Sequence, residues 1–203
     1  MISELSGLAV SSPILSYEEY IPYILKLVDN DRTTGTNQSL SLIDYTALNL
    51  KRMERIKKTF KFIREPNGRA RLAFPQQWIL ITEAWCGDSA QSLPVIGEYA
   101  NKLKNDVSLK IILRDANPTW IEKYHTNGTR SIPKLISFDL LGNELFTWGP
   151  RPAAAQQMFY KWKNKPDGKS WDAFETELHT WYTKDRTQAT QHEIQRLLNK
   201  YEK

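Results

Sequence analysis

A run of apolar residues ends directly at the only cysteine of the chain. Ile79, Leu80 and Ile81 have the pattern of a buried strand, and the sequence Trp-Cys-Gly-Asp-Ser at 85–89 follows it and opens into a helical segment. At a helix N-terminus, backbone N–H groups without partners and the positive end of the helix dipole favour a thiolate over a thiol. The sequence therefore predicts a reactive Cys86 at a junction between strand and helix.

No disulfide can form within this chain, because Cys86 is its only cysteine. Redox chemistry would therefore need a sulfur atom from another molecule. An unpaired cysteine also favours the cytoplasm, since a free thiol is a liability in an oxidising compartment. Residues 1–15 lack the features of a secretory signal, and no apolar run approaches the length of a membrane span. We expect a cytoplasmic protein without a membrane partner.

Further features follow Cys86 in an order that resembles the thioredoxins. Pro94 occupies the place of the proline that kinks the thioredoxin motif helix. Ile132 and Pro133 end a segment similar to the one that leads into the thioredoxin cis-proline strand, which predicts a cis bond between them. A hairpin predicted over 135–148 is the next element that this fold requires.

The resemblance implies an α/β fold, a thioredoxin-like three-layer sandwich around a central mixed β-sheet. We expect a single domain over 1–203, with an N-terminal helical extension (1–70), a thioredoxin core (77–164) and a C-terminal helical extension (165–203). The single-cysteine Trp-Cys-Gly-Asp-Ser motif and the extensions are similar to an uncharacterised subgroup of thioredoxin-like proteins.

Periodicity and capping signals predict the remaining elements. The predicted helices are 17–29, 40–63, 88–104, 118–126 and 151–164, and the predicted strands before the hairpin are 78–84 and 107–114. Two more helices follow Pro166, the first capped by Ser170. One face of it carries Trp171, Phe174, Leu178 and Trp181, and the last helix carries Ile194, Leu197, Leu198 and Tyr201. Such stripes are typical of packing surface, with a dimer contact as the alternative, so the oligomeric state stays open.

The resemblance also implies roles for the residues around the cysteine. Cys86 would be the nucleophile, and Ser89 stands where a thioredoxin has its second cysteine and could donate a hydrogen bond to the thiolate. A substrate-binding groove would comprise Trp85, Gly87, Asp88, Ile132 and Pro133. The buried acid that thioredoxins carry before the motif is replaced by Leu80. Ordinary dithiol reductase activity is therefore not expected.

Two opposed effects predict the acidity of Cys86. A helix N-terminus stabilises an anion by about 0.3 to 2 kcal/mol, which would lower the pKa of the thiol by up to roughly one unit. The carboxylate of Asp88, two residues later, repels a thiolate by a similar amount at an effective dielectric between those of protein and water. The two nearly cancel, and Ser89 favours ionisation. We predict a moderately acidic thiol.

Several functions fit one nucleophilic cysteine. Cys86 could form a mixed disulfide with a low-molecular-weight thiol or with a protein cysteine, or it could be a sensor that is oxidised to a sulfenic acid. The competing hypothesis is a non-catalytic module that binds an extended peptide against Trp85, Ile132 and Pro133. A small, buried core thiol is the structural alternative.

The other candidate sites are weaker. Seven basic residues and one acidic residue lie within 51–64, on a predicted amphipathic helix, and a solvated face explains them better than a nucleic-acid surface. The three histidines lie on different elements, so neither a metal site nor a cofactor is expected. Strand alternation favours a solvent-facing Glu83. Lys134 is either an ordinary surface lysine or a residue that attracts an anionic partner to the groove.

Overall fold

The computed structural model describes residues 9–11, 13–63 and 72–202 of the 203-residue chain. The strands are β1 (Ile14–Leu15), β2 (Gln76–Thr82), β3 (Val107–Leu113), β4 (Lys134–Asp139) and β5 (Glu144–Trp148). The helices are α1 (Tyr17–Val28), α2 (Leu40–Thr59), α3 (Gly87–Lys102), α4 (Pro118–Lys123), α5 (Ala153–Asn164), α6 (Trp171–Asp185) and α7 (Gln188–Leu198). The predicted α/β fold with a mixed sheet and added helices is confirmed.

The central strand of the sheet is the one that leads to the cysteine. The strand order is β1-β3-β2-β4-β5, with β2 parallel to β3 and antiparallel to β4. Leu80 on β2 lies opposite Ile111 of β3 and Leu135 of β4. Because both neighbours hydrogen-bond to β2, its end is held firmly, and so is the start of the turn to Cys86.

Alternate residues of β2 enter two separate apolar cores, one on each side of the sheet. Trp78 and Leu80 face the larger core, which the extension helices and α3 cover. Ile79 and Ile81 face the smaller core, which contains Trp120 of α4. A strand buried on both faces has the near-continuous apolar sequence that predicted it.

The predicted elements are confirmed, with differences at their ends. The helix expected over 40–63 ends at Thr59, and the basic stretch expected to continue to residue 64 leaves the helix there. Arg64 and the following residues up to 71 lie outside the described residues. The short strand β1, antiparallel to β3, was not predicted, because two residues give no periodicity to read.

The N-terminal extension fixes the backbone just before the cysteine. Asn49 of α2, fully buried, donates its amide to the carbonyl of Ala84 at 3.0 Å. Thr34 accepts the N–H of Ala84 at 2.9 Å. Buried backbone groups need such partners, so these two side chains replace sheet hydrogen bonds beyond the end of β2. The approach to Cys86 therefore depends on residues 34 and 49, far upstream in the sequence.

Aromatic packing and apolar burial attach the C-terminal extension to the rest of the fold. Phe174 of α6 stacks on Trp162 of α5, with ring centroids 4.8 Å apart. The predicted apolar stripe of α6 thus buries Phe174 and Leu178, whereas Trp171 stays largely exposed. Helix α7 contributes Ile194 and Leu198 to the larger core. Of the helices in the described part of the chain, none is long and apolar enough to cross a membrane.

Helix α1 packs on α3 at a point where α3 has no side chain. The buried ring of Tyr17 lies directly over Gly97, where an added Cβ would overlap it. The Tyr17 hydroxyl donates to Glu98 at 3.1 Å, so the ring cannot turn away freely.

Gly97→Ala should therefore destabilise the protein by about 1 to 2 kcal/mol, even though alanine is the better helix former. Urea unfolding followed by circular dichroism measures the change. In a Tyr17→Ala background the overlap is gone, and the same Gly97→Ala substitution should become neutral or stabilising. An equal loss of stability in both backgrounds would contradict this account.

Candidate functional site

The cysteine lies at the predicted junction of strand and helix. Cys86 is the N-cap residue of α3, and its carbonyl accepts the first hydrogen bond of the helix from Ala90. The residue is half-buried. Its Sγ donates to the carbonyl of Ile132 at 3.4 Å, and the bond between Ile132 and Pro133 is cis. The structure thus brings together two segments of the predicted site that are 46 residues apart.

A cavity of about 410 Å³ opens onto the cysteine. Its floor is the core, including Trp85, Cys86, Gly87 and Ile132, and its walls come from both extensions. The N-terminal extension contributes Leu42 and Tyr45 of α2, and the C-terminal extension contributes Trp171, Glu175, Leu178 and His179 of α6. The cysteine therefore lies in a cavity to which helices α2 and α6 contribute side chains.

A cation–π contact holds Trp85 at the cavity. The guanidinium of Arg114 lies 4.7 Å from the centre of the Trp85 ring, and its Nε donates to Asp115 at 2.8 Å. Such a contact orients an indole and adds positive charge beside it. The indole of Trp85 thus lines the cavity with a cation on its face.

Asp88 lines the cavity and is at the same time buried and paired. Its carboxylate forms an ion pair with Arg151 at 2.7 Å and accepts the hydroxyl of Tyr182 at 2.9 Å. Arg151 follows β5, and Tyr182 lies on α6. The three residues therefore connect the first turn of α3 to the C-terminal extension.

Glycine at position 149 allows Arg151 to reach that carboxylate. Gly149 has a φ of 113°, and a Cβ there would overlap the carbonyl of Pro133. Only glycine fits a backbone that approaches another chain segment so closely in this conformation. The chain then turns at Pro150 and places Arg151 next to α3.

The prediction of a moderately acidic thiol at Cys86 is wrong. Burial, followed by repulsion from Asp88, raises the pKa of the Cys86 thiol to about 11. Ser89 opposes this shift through its hydroxyl and N–H, and Arg151 opposes it through its charge. The Ser89 hydroxyl is itself buried, and the effects of Ser89 and Arg151 are smaller than the effect of burial on the sulfur. Desolvation, which the sequence did not show, decides the result.

His179 and Arg52 lie beside the motif, although nothing in the sequence connected them to it. A Cβ at Gly87 would lie 2.7 Å from His179 Nε2 and 3.5 Å from Arg52 Nη1. The absence of a side chain at Gly87 thus admits His179 to the start of α3, and Arg52 lies next to it at an ordinary contact distance. No local sequence signal identifies His179, because only packing of α6 over α3 brings it there.

The imidazole of His179 is neutral. Burial, with the positive charges of Arg52, Arg151 and Arg55, lowers the pKa of His179 to about 3. Gln91 contacts Nδ1 at 3.1 Å, and as the amide nitrogen must donate, the ring proton is assigned to Nε2. Its 3.7 Å approach to Glu175 is therefore not an ion pair.

Two further expectations from the sequence are corrected. Glu83 is fully buried, not solvent-facing, and its carboxylate accepts the N–H of Asp115 at 2.8 Å. Burial raises its pKa. Lys134 is also buried, and its Nζ contacts the hydroxyl of Thr126 at 3.3 Å, so it is not a surface lysine. Within the described residues, no group of three or more acidic, histidine or cysteine side chains is placed to hold a metal ion.

Sequence comparison agrees with this geometry. Residues 35–165, well over half of the chain, match the sequence model of a family described as Thioredoxin. The chain belongs to the thioredoxin family. No curated protein shows significant similarity to it.

A solved structure shares the fold of this thioredoxin family member. A protein of unknown function from Pseudomonas aeruginosa, PA1234, aligns with a TM-score of 0.54 and 16% identity, over 91% of this chain and 98% of that one. An HIV epitope scaffold aligns with a TM-score of 0.49, 16% identity and the same coverage. At this identity the first match shows a common fold.

Removing the charge at position 88 should make the cysteine more acidic. In Asp88→Asn the repulsion of the thiolate disappears, while the oxygen of the introduced amide can still accept from Tyr182. We expect the pKa of Cys86 to fall below about 11 and alkylation by iodoacetamide at pH 8 to become several-fold faster.

The pH dependence of the alkylation rate measures this change. Asp44→Asn, which removes an exposed carboxylate from α2, serves as the matched control and should leave the profile unchanged. Circular dichroism verifies that both variants are folded. An identical pH profile for Asp88→Asn and the wild-type protein would show that Asp88 does not influence the thiol.

Proposed function

We propose that this protein takes part in thiol–disulfide exchange through Cys86 and that its partner is a low-molecular-weight thiol. One observation carries the proposal: a half-buried cysteine, at a helix N-terminus and beside a cis-proline, faces a cavity large enough for a small molecule. The cytoplasm suits this reaction, because its pool of reduced thiols supplies the second reactant.

The exchange requires two external reactants in turn, first a small disulfide and then a reduced thiol. In the first step Sγ of Cys86 attacks one sulfur of the disulfide, and the disulfide bond breaks as the mixed disulfide forms. The leaving sulfur takes the electron pair and the proton that Cys86 loses. In the second step the reduced thiol attacks the external sulfur of the mixed disulfide, a new external disulfide forms, and Sγ of Cys86 leaves with the electron pair and takes up the proton of the attacking thiol. Ser89 cannot perform this step, because it has no sulfur.

The walls of the cavity favour a small partner over a folded protein. Helices α2 and α6 add Tyr45, Trp171 and Leu178 to the lining of the cavity next to Cys86, which narrows the approach for a folded protein. The cavity volume of about 410 Å³ lies within the range of small-molecule pockets and suits a tripeptide-sized ligand.

A second candidate is a non-catalytic binding module, and the acidity of Cys86 favours it. With a pKa of about 11, only about one thiol in ten thousand is ionised at pH 7. The thiolate is the nucleophile, so uncatalysed exchange would be slow. In this reading the pocket binds its ligand noncovalently, and Cys86 is a polar contact to the Ile132 carbonyl.

Intact mass after incubation with oxidised glutathione distinguishes the two candidates. We expect the wild-type protein to gain one glutathione, increasingly as the pH rises towards 11, and to lose it on addition of dithiothreitol. Cys86→Ser should gain none. Absence of an adduct at pH 9, from protein that iodoacetamide alkylates under the same conditions, would favour the binding module.

A second sulfur should restore part of the missing chemistry. Ser89 lies one helical turn from Cys86, so Ser89→Cys should form an internal disulfide on oxidation, detectable as the loss of both free thiols. Insulin reduction with dithiothreitol as donor should rise only slightly, because Leu80 cannot relay a proton and the helical walls exclude a protein substrate.

Ser92→Cys is the matched control for this variant. Ser92 is buried on the same helix but lies nearly two turns from Cys86, so its thiol should not pair with it. Strong insulin reduction by the wild-type protein would refute the requirement for a second sulfur. Failure of Ser89→Cys to form the internal disulfide would contradict the placement of Ser89 next to Cys86.

A further inference from the structure

A second groove, of about 750 Å³, runs between α2 and α6 next to the cysteine cavity. We propose that this groove binds the anionic end of a small molecule, a carboxylate or phosphate group, whose remaining part enters the cysteine cavity. The binding step is independent of the exchange reaction. Only the conclusion that the ligand is an anionic thiol or disulfide rests on the proposed function.

The lining of the groove is strongly positive. Lys51, Arg52 and Arg55 of α2 and Lys184 of α6 face one carboxylate, that of Glu175. Glu175 accepts the hydroxyl of Tyr45 at 2.7 Å. Across the described residues, none of these four cations forms an ion pair with a carboxylate. The groove therefore has an excess of positive charge that its own side chains do not neutralise.

Arg52 is the cation that a ligand would meet closest to the cysteine. It is half-buried, and burial lowers its pKa. Its Nη1 donates to Asn49 at 2.9 Å, so the guanidinium is held in place by a neutral group. A partly desolvated guanidinium without a carboxylate partner is costly unless an anion joins it. An oxyanion would supply the fork-like hydrogen bonds that arginine favours.

The position of Arg52 connects the groove to the site of the proposed reaction. Nη1 lies 3.5 Å from where a Cβ of Gly87 would be, at the residue directly after Cys86. The N–H groups at the start of α3 add to the positive potential at this point. An anion on Arg52 would therefore lie beside the first turn of α3, within one residue of the cysteine.

The two cavities share a wall, so one molecule can occupy both. Tyr45, Glu175 and His179 line both the positive groove and the cysteine cavity. Neutral His179 adds no charge at this boundary. A ligand of tripeptide size with a negative end would place that end near Arg52 and Arg55 and its sulfur near Cys86. A cationic ligand would be repelled.

Binding without exchange is tested on Cys86→Ser, which cannot form a disulfide. The probes are S-methylglutathione, a net negative thioether, and inorganic phosphate, each titrated calorimetrically. Binding of S-methylglutathione alone would identify a carboxylate site, and binding of phosphate, or its competition with S-methylglutathione, would identify a general oxyanion site. Either result supports the inference, provided that affinity decreases as salt increases. If neither probe binds, the inference is wrong.

A matched pair of arginine variants locates the site. Arg55→Gln removes an exposed charge from the groove and should weaken binding about tenfold. Arg32→Gln removes an exposed charge that lines neither cavity, and it should leave binding unchanged. Arg52→Gln should weaken binding at least as much, with its folding checked by circular dichroism. Equal affinity in Arg55→Gln and Arg32→Gln would overturn the inference, whatever the result for Arg52→Gln.

The exchange rate with three disulfides separates this inference from the proposed function. Oxidised glutathione is anionic, hydroxyethyl disulfide is neutral and cystamine is cationic. We expect mixed disulfides to form about tenfold faster with oxidised glutathione than with the neutral reagent, and slowest with cystamine, with the preference reduced in Arg55→Gln. Equal rates for all three would retain the exchange function and reject the anionic ligand. Binding of the probe without formation of any mixed disulfide would retain the anionic ligand and reject the exchange function.

Discussion

The buried ion pair between Asp88 and Arg151 is the contact on which the site depends. Burying two charges costs free energy, and the 2.7 Å pair with the added hydroxyl of Tyr182 offsets that cost only while all three residues stay together. The cluster joins the first turn of α3, the segment after β5 and helix α6. It therefore fixes the C-terminal extension over the cysteine, and it also places a negative charge where that charge disfavours the thiolate.

Enclosure changes what a thioredoxin fold can do with one cysteine. Helices α2 and α6 line part of a cavity of about 410 Å³ at Cys86. Burial, followed by repulsion from Asp88, raises the pKa of the Cys86 thiol to about 11, which lowers the fraction of reactive thiolate. Slow disulfide exchange and noncovalent binding would use the same cavity and would differ mainly in the rate at which Cys86 reacts.

Helix α2 supplies positive charge beside the cysteine site. Arg52 lies beside Gly87 at the start of α3, and Arg55 and Lys51 extend the charge along the neighbouring groove. The charges of Arg52 and Arg55, together with burial, keep His179 neutral. The sequence displayed this basic segment clearly, and a solvated helix face was its simplest interpretation. Packing against α6 turned part of that face into the lining of a groove.

The sequence by itself determined the order of the elements, the strand-to-helix position of Cys86 and the loss of a second sulfur at Ser89. These follow from local periodicity, capping and residue identity, which depend on neighbours along the chain. The tertiary structure alone decided that Asp88 pairs with Arg151, that Glu83 is buried, and that Arg52 and His179 lie beside Gly87. The acidity of Cys86 belongs to this second group, because desolvation depends on helices remote in sequence that close over the sulfur.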